Sequence, residues 1–171
     1  MPNASDAPLL DALLDSWDRG NTILLNLLRA IPANGLEARA VPGGPTVGQL
    51  FAHVHFVRLV FVAEDAPEFA RDLPAEEWAD ERDPGRLAAM LGDSARAVGD
   101  AVRARVEAGR DMDLHYDHPV LLLQHMLWHE GYHHGQIKLA LKASGRPLAD
   151  AEAGPGTWGV WTRRRAPAPA R

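Results

Sequence analysis

A chain of 171 residues, 46% apolar and 24% charged, has the size and composition of one folded domain with a substantial core. Its net charge of -5, with no basic stripe to offset the acids, argues against nucleic acid as a partner. The absence of cysteine excludes disulfides, a thiolate nucleophile from the protein and cysteine-ligated zinc, so any metal must be held by histidine and carboxylates. The N-terminal MPNASDAPLLDALL has neither a basic n-region nor a cleavable apolar core. No run approaches the roughly 18 apolar residues of a membrane span, so no membrane partner and a cytoplasmic location are expected.

Helical periodicity dominates and no alternating strand is found. The first helix is expected within SDAPLLDALLDSWDRGNTILLNLLRAIP, capped by Ser5 or Asp6 and over before Pro32. GLEARAVPGGPT is a turn-rich connector, after which Thr46 caps a second helix, VGQLFAHVHFVRLVFVAE, that ends before Pro67. A connection over residues 65 to 83, longer than a tight hairpin needs, leads to a third helix from Asp83 to Gly109. The fourth helix starts near Asp117–Pro119, with proline where it is tolerated, and stops near Gly145–Pro147. ADAEAGPGTWGVW is expected to be irregular, with Trp158 and Trp161 pinning it to the body of the protein. The predicted class is all-α, a four-helix bundle in one domain over residues 1–161, followed by a basic, Pro-Ala tail over 162–171 expected to be mobile.

Four of the eight histidines, His125, His129, His133 and His134, lie on the fourth helix. At about 100° per residue, His125, His129 and His133 fall within about 80° of one another with Leu122, Ala140 and Gln136, while His134 leans toward the wet side of Lys138, Gln124 and Lys142. Several unpartnered imidazoles in an apolar core would cost about 1–3 kcal/mol each, and a metal ion bonded to the ring nitrogens removes that cost. Histidines at i and i+4 are placed to chelate one cation. In the second helix, His53 shares a face with Leu50, Val57, Val60 and Glu64; His55 points the other way and is expected at or near the surface. The expected site is therefore His53, His129 and His133 around a divalent metal, with one position open for water or substrate. Zn²⁺ suits three imidazoles, and Ni²⁺, Fe²⁺, Co²⁺ and Mn²⁺ remain alternatives. His125 and Gln136 are candidates to orient a ligand or a bound water, with His125 also a candidate for proton transfer. His115 and His118, flanking the start of the fourth helix, are expected to face solvent or to cap.

HEGYH at 129–133 also fits the H-E-x-x-H pattern of zinc proteases, in which the glutamate is the general base. The context is poor: no downstream G-x-x-H follows, no sheet is expected, and Glu152, a distant third ligand, sits in a Gly/Pro-rich stretch. Glu130 is expected to make a flanking ion pair or face solvent, or else to act as a base on metal-bound water.

TVGQLFAHVHFVR in the second helix and HMLWHEGYHHGQIKLAL in the fourth resemble the DinB/YfiT-like superfamily of metal-binding four-helix bundles. The pattern is a lone histidine, here His53, then H-x-x-x-H followed closely by Gly-Gln, here His129, His133, Gly135 and Gln136. The likeness covers about residues 6 to 161 and departs from it at His134, where relatives often carry arginine. The resemblance implies an up-down-down-up bundle, often a homodimer, with Zn²⁺ or Ni²⁺ on three histidines. It also implies thiol chemistry: relatives include bacillithiol or mycothiol S-transferases and a mycothiol-dependent maleylpyruvate isomerase, while many members have no known reaction. The expected function is a metal-dependent transferase or hydrolase acting on a small-molecule substrate with a low-molecular-weight thiol cosubstrate, or a metal-binding stress-response protein without turnover.

Overall fold

The computed structural model describes residues 7–162, apart from the side chain of residue 152. The expected caps Ser5 and Asp6, the tail beyond Thr162 and the Glu152 side chain lie outside the described residues. Four long helices carry the fold: α1 (Ala7–Ala30), α2 (Val47–Asp65), α3 (Pro84–Glu107) and α4 (Val120–Ala143). No strand forms among the described residues; the only pairing is an isolated bridge between Arg39 and Thr46 just ahead of α2.

The helix boundaries follow local chemistry. Thr46 and Gln49 form a reciprocal capping box, with Gln49 N donating to Thr46 Oγ1 and Thr46 N to Gln49 Oε1, both at 3.0 Å. Asp83 caps α3 through Arg86 N at 2.7 Å with Pro84 in the first turn, and Pro119 precedes α4. The ends of α3 and α4 are closed by Gly109 at φ 61° and Gly145 at φ 72°, each followed by an arginine N–H that bonds a carbonyl five residues back.

The core falls into two clusters. One joins the first half of α1 (Leu10, Leu14, Trp17), the last turns of α2 (Leu59, Val62), the later part of α3 (Val98, Val102) and the first turns of α4 (Leu122, Met126). The other joins the last turns of α1 (Leu24, Leu28), the start of α2 (Leu50, Phe51, Val54), the start of α3 (Leu87, Leu91) and the end of α4 (Ile137, Leu141). α2 is buried on nearly every side, packing against both α3 and α4. It is long and apolar enough to cross a membrane by length and composition, but most of it is enclosed by the other helices.

Two buried charges fasten the connections that lead into α4. Arg105, 1% exposed, bonds both carboxylate oxygens of Asp113, Glu68 Oε2 and the Asp111 carbonyl. Asp65, fully buried at the end of α2, accepts from the backbone N–H groups of Leu114 and His115 and meets His115 Nδ1 at 2.8 Å. His115 is thus tied to the buried Asp65 carboxylate, while His118 fulfils the capping expectation by accepting from Val120 N.

The C-terminal segment is more ordered than the sequence suggests. It folds into two short helices, α5 (Asp150–Ala153) and α6 (Trp158–Thr162), separated by a 3-10 turn at Gly154–Gly156. The expectation that Trp158 and Trp161 pin it is corrected: the indoles are 66% and 46% exposed. Docking is done by backbone carbonyls, with Asn26 Nδ2 donating to Gly156 O at 2.8 Å and Arg19 Nη1 to Val160 O at 2.6 Å.

Candidate metal centre

α2 and α4 bring His53, His129 and His133 to one point, with a ligand atom from each ring lying within 4.8 Å of the others. His129 Nε2 is 3.2 Å from His53 Nε2 and 3.0 Å from His133 Nε2. Donors on a tetrahedral zinc stand about 3.3 Å apart, from Zn–N bonds of about 2.0–2.1 Å, so the nitrogens already have nearly the spacing of ligands around one ion.

The outer nitrogens fix which lone pairs are free. His133 Nδ1 donates to Gln136 Oε1 at 2.7 Å, and Gln136 Nε2 in turn donates to the Tyr132 hydroxyl at 2.9 Å. His53 Nδ1 faces the Glu77 carboxylate at 2.9 Å. With its proton on Nδ1, His133 presents a bare Nε2 lone pair toward His129 Nε2, and the carboxylate beside His53 Nδ1 favours the same arrangement there. Three nitrogens converge where at most one N–H can lie between any two, and a cation resolves that conflict. Burial pulls all three pKa values down. For His129 the neighbouring rings of His133, His53 and His125, and then Arg58, add to burial and take it to about 3. For His53 the Glu77 carboxylate opposes the burial, and for His133 the Gln136 bond does. Neutral imidazoles are the form a metal binds. The residues present therefore fit a divalent metal.

No sequence pattern marks the other half of the His53 environment. The Trp78 ring stacks on the His53 ring at 4.0 Å between centroids and 2° between planes, next to the Glu77 contact. Both residues sit in the long α2–α3 connection, where no periodicity marks a face. That connection is held in place by Gln49 Nε2, which donates to Trp78 O at 3.0 Å, and by Gly48, where a Cβ would meet Glu81 O at 2.5 Å. The residue that closes the α2 capping box thus also anchors the strap over its first histidine.

The sequence model of the DinB family matches residues 1–154. The chain belongs to the DinB family. No curated protein and no solved structure matches it. Within this DinB chain, the remaining expected residues divide into those near the triad and those turned away. His125 stands one turn before His129, with ring centroids 6.5 Å apart, and its Nδ1 lies 2.7 Å from the Tyr116 hydroxyl. Burial, with a smaller contribution from Asp65, raises the Tyr116 pKa well above the ordinary phenol value, so this hydroxyl keeps its proton.

Glu130 is drawn to another partner. It is 4% exposed and takes Arg58 Nε on Oε1 at 2.6 Å. Arg58, fully buried, also bonds Asn21 Oδ1 and the Leu91 carbonyl and lies over the Trp17 ring at 4.8 Å. The ion-pair alternative for Glu130 is the one observed, in the core rather than at a flank. His55 is also corrected: it is 6% exposed, with Nδ1 2.8 Å from the Met90 carbonyl, because the side of α2 opposite His53 packs on α3. The stripe expected to face the core on α4 is shifted as well. Its fully buried positions are Leu122, Leu123, Met126, Ile137, Ala140 and Leu141, so His125 and His129 lie at the rim and only His133 is counted as buried. Beyond the rim, Trp128, Tyr132 and Leu139 are exposed.

Proposed function

We propose that this DinB-family chain is an enzyme in which a divalent metal, Zn²⁺ or Ni²⁺, on His53, His129 and His133 activates a low-molecular-weight thiol of the bacillithiol or mycothiol type for transfer to an electrophilic small molecule. The observation that carries the proposal is the convergence of three Nε2 atoms, that of His133 fixed as an acceptor by Gln136 and that of His53 backed by the Glu77 carboxylate near its Nδ1. When bound, the metal supplies the positive charge that lowers the pKa of a coordinated thiol or water. The protein's own lack of cysteine accords with sulfur arriving on a cosubstrate.

The chain's side chains do the rest. Gln136 holds the His133 ring in the ligating tautomer, and the Glu77 carboxylate near His53 Nδ1 favours the same tautomer there by its charge. Trp78 covers one face of His53 and keeps water from it. His125, its Nδ1 engaged by Tyr116, has Nε2 left to take a proton from the thiol and to return one to product. Glu130 is assigned to the buried ion pair with Arg58 and not to proton transfer.

The proposal includes an up-down-down-up helix order, supported by the sorting of the core: the ends of α1 and α4 share a cluster with the starts of α2 and α3. It also includes a homodimer, for which the exposed Trp128, Tyr132 and Leu139 offer an apolar surface, and a cytoplasmic location without nucleic-acid or membrane partners.

The test is metal analysis of the purified full chain followed by thiol titration. Stoichiometric transition metal is expected, lost in His53→Ala and kept in His55→Ala. The Co²⁺-substituted protein should change its visible absorption when bacillithiol or mycothiol is added. Bound metal with a spectrum indifferent to both thiols would replace thiol transfer by hydrolysis or a non-catalytic metal-binding role. Absence of metal from a folded protein would remove the enzymatic reading altogether.

A further inference from the structure

α4 is apolar on both its faces, and only one of them is covered. Its inner face packs on α1, α2 and α3. On its outer face Leu121 is 44% exposed, Trp128 73%, Tyr132 57% and Leu139 56%. Glu130, the one acidic or basic residue of α4 ahead of Lys138, is buried. The outer faces of α1 and α3 are of the ordinary wet kind, with Asp11 and Asp18 on one and Arg96, Asp100 and Arg103 on the other. A helix apolar all round is normally enclosed; α2 is enclosed by its own chain, and α4 is not. The outer residues also have the spacing of a helix–helix seam. Leu121, His125, Trp128, Tyr132, Gly135 and Leu139 follow one another at alternating steps of four and three residues, the a/d pattern of a coiled coil. Reversed, this seam is its own complement. In an antiparallel pair centred on position 130, Leu121 of one copy meets Leu139 of the other and Trp128 meets Tyr132. The His125 ring meets Gly135, where a Cβ would find nothing within 4 Å, so there is room for it. Charge obeys the same rule: Lys142, exposed at one end of α4, comes beside Asp117, exposed just ahead of the other end.

We propose, building on the homodimer included in the proposed function, that two copies of this chain pair through α4 laid antiparallel on α4 in this register, each copy walling one side of the other's metal centre. The mirrored pattern selects the occupant. A surface on which one residue meets a second, and the second meets the first, is the mark of a two-fold interface between identical chains. An unrelated helix would not require it. Aromatic residues with no charge among them are what the centre of such an interface holds. The seam also runs past the triad. His125 lies in it, its ring centroid 6.5 Å from that of His129. The Tyr132 hydroxyl accepts from Gln136, which holds His133. Trp128 of the second copy therefore packs on the ring that braces the His133 partner, and its Gly135 backbone lies over His125.

Light scattering on the full chain should give twice the chain mass, and a monomer would overturn both this pairing and the homodimer itself. The register is read by cross-linking, since the chain has no cysteine of its own. Leu121→Cys and Leu139→Cys chains, mixed and mildly oxidised, should form a disulfide-linked dimer. Neither variant alone should link, because like positions stand about 27 Å apart along the helix axis in this register. A dimer that links the single variants, or fails to link the mixture, would place the interface elsewhere and overturn the pairing while leaving the homodimer standing. Leu121→Asp with Leu139→Asp sets carboxylates against each other in both end layers and should yield a monomer with an unchanged far-ultraviolet circular dichroism spectrum, both side chains being exposed. A dimer that survives these substitutions would also overturn the pairing. They lie about 9 Å or more along α4 from the triad, so the same monomer reports on the metal centre. Its His125 should react several-fold faster with diethyl pyrocarbonate than in the parent dimer, read by peptide mass spectrometry. Equal rates would remove the second copy from the side of the centre. None of these outcomes depends on whether the triad holds a metal.

Discussion

Replacing Arg58 with leucine removes a fully buried guanidinium from the centre of the bundle and leaves the Glu130 carboxylate, 4% exposed, with neither oxygen partnered. Breaking a buried pair from one side costs about 3–5 kcal/mol, because the surviving charge stays out of water without compensation. The lost bonds to Asn21 and the Leu91 carbonyl, and the lost contact with the Trp17 ring, add to the same direction. For a chain of this length each kcal/mol moves the melting temperature by about 2–4 °C, so a fall of about 10 °C is expected by calorimetry. The double variant Arg58→Met with Glu130→Leu removes both charges and should recover most of the loss, since apolar replacement of a whole buried pair is often neutral. The assignment of Glu130 to the fold would be refuted by an Arg58→Leu protein that melts within about 2 °C of the parent, or by a double variant no more stable than the single one.

Three further outcomes are expected. Glu77→Gln should weaken zinc binding about tenfold in a chelator competition: partners of a ligating histidine are worth about 10–100-fold, and this carboxylate is 44% exposed, so water can partly replace it. Glu76→Gln, its exposed neighbour, should leave the affinity unchanged, and equal loss in both would remove Glu77 from the site. In chelator-treated protein, stability should fall as pH drops below about 6.5. The unfolded chain gains protons there while His129, with a folded pKa of about 3, and His53, His55, His133 and His134, all depressed mainly by burial, do not. Each such histidine contributes up to about 1.4 kcal/mol per pH unit until its folded pKa is reached, and denaturant titrations between pH 4 and 8 read the slope. His55→Ala should keep its metal yet lose about 1–3 kcal/mol of stability, because a buried ring gives way to a cavity and the Met90 carbonyl keeps only the Ser94 hydroxyl as side-chain partner.

What could be read in the sequence was whatever depends on local chemistry or on one clear helical phase. Thr46, Asp83, Pro119 and the glycines at 109 and 145 fix helix ends by bonds to near neighbours, and their roles followed from residue type. His129 and His133 are one turn apart on one helix, so their meeting needed only the pitch. α2 was harder, because a helix buried on nearly every side has no polar face to set its phase; His53 does turn toward His129 and His133, but His55 lies in the core against α3 rather than at or near the surface. Glu77 and Trp78 reach His53 through a connection whose path is set by Gln49 and by the close approach at Gly48, a tertiary arrangement with no periodic trace. For the C-terminal segment, two tryptophans in a glycine-rich run suggested burial, whereas its anchors are the Gly156 and Val160 backbone carbonyls, which every residue carries.

X-ray absorption spectroscopy on the zinc-loaded full chain addresses the central claim most directly. Three imidazole nitrogens from His53, His129 and His133 should surround the ion at about 2.0–2.1 Å, and His53→Ala should retain no stoichiometric zinc under the same loading. A zinc site with fewer than three imidazoles, or one whose spectrum is the same in His53→Ala, would contradict a shared ion between α2 and α4.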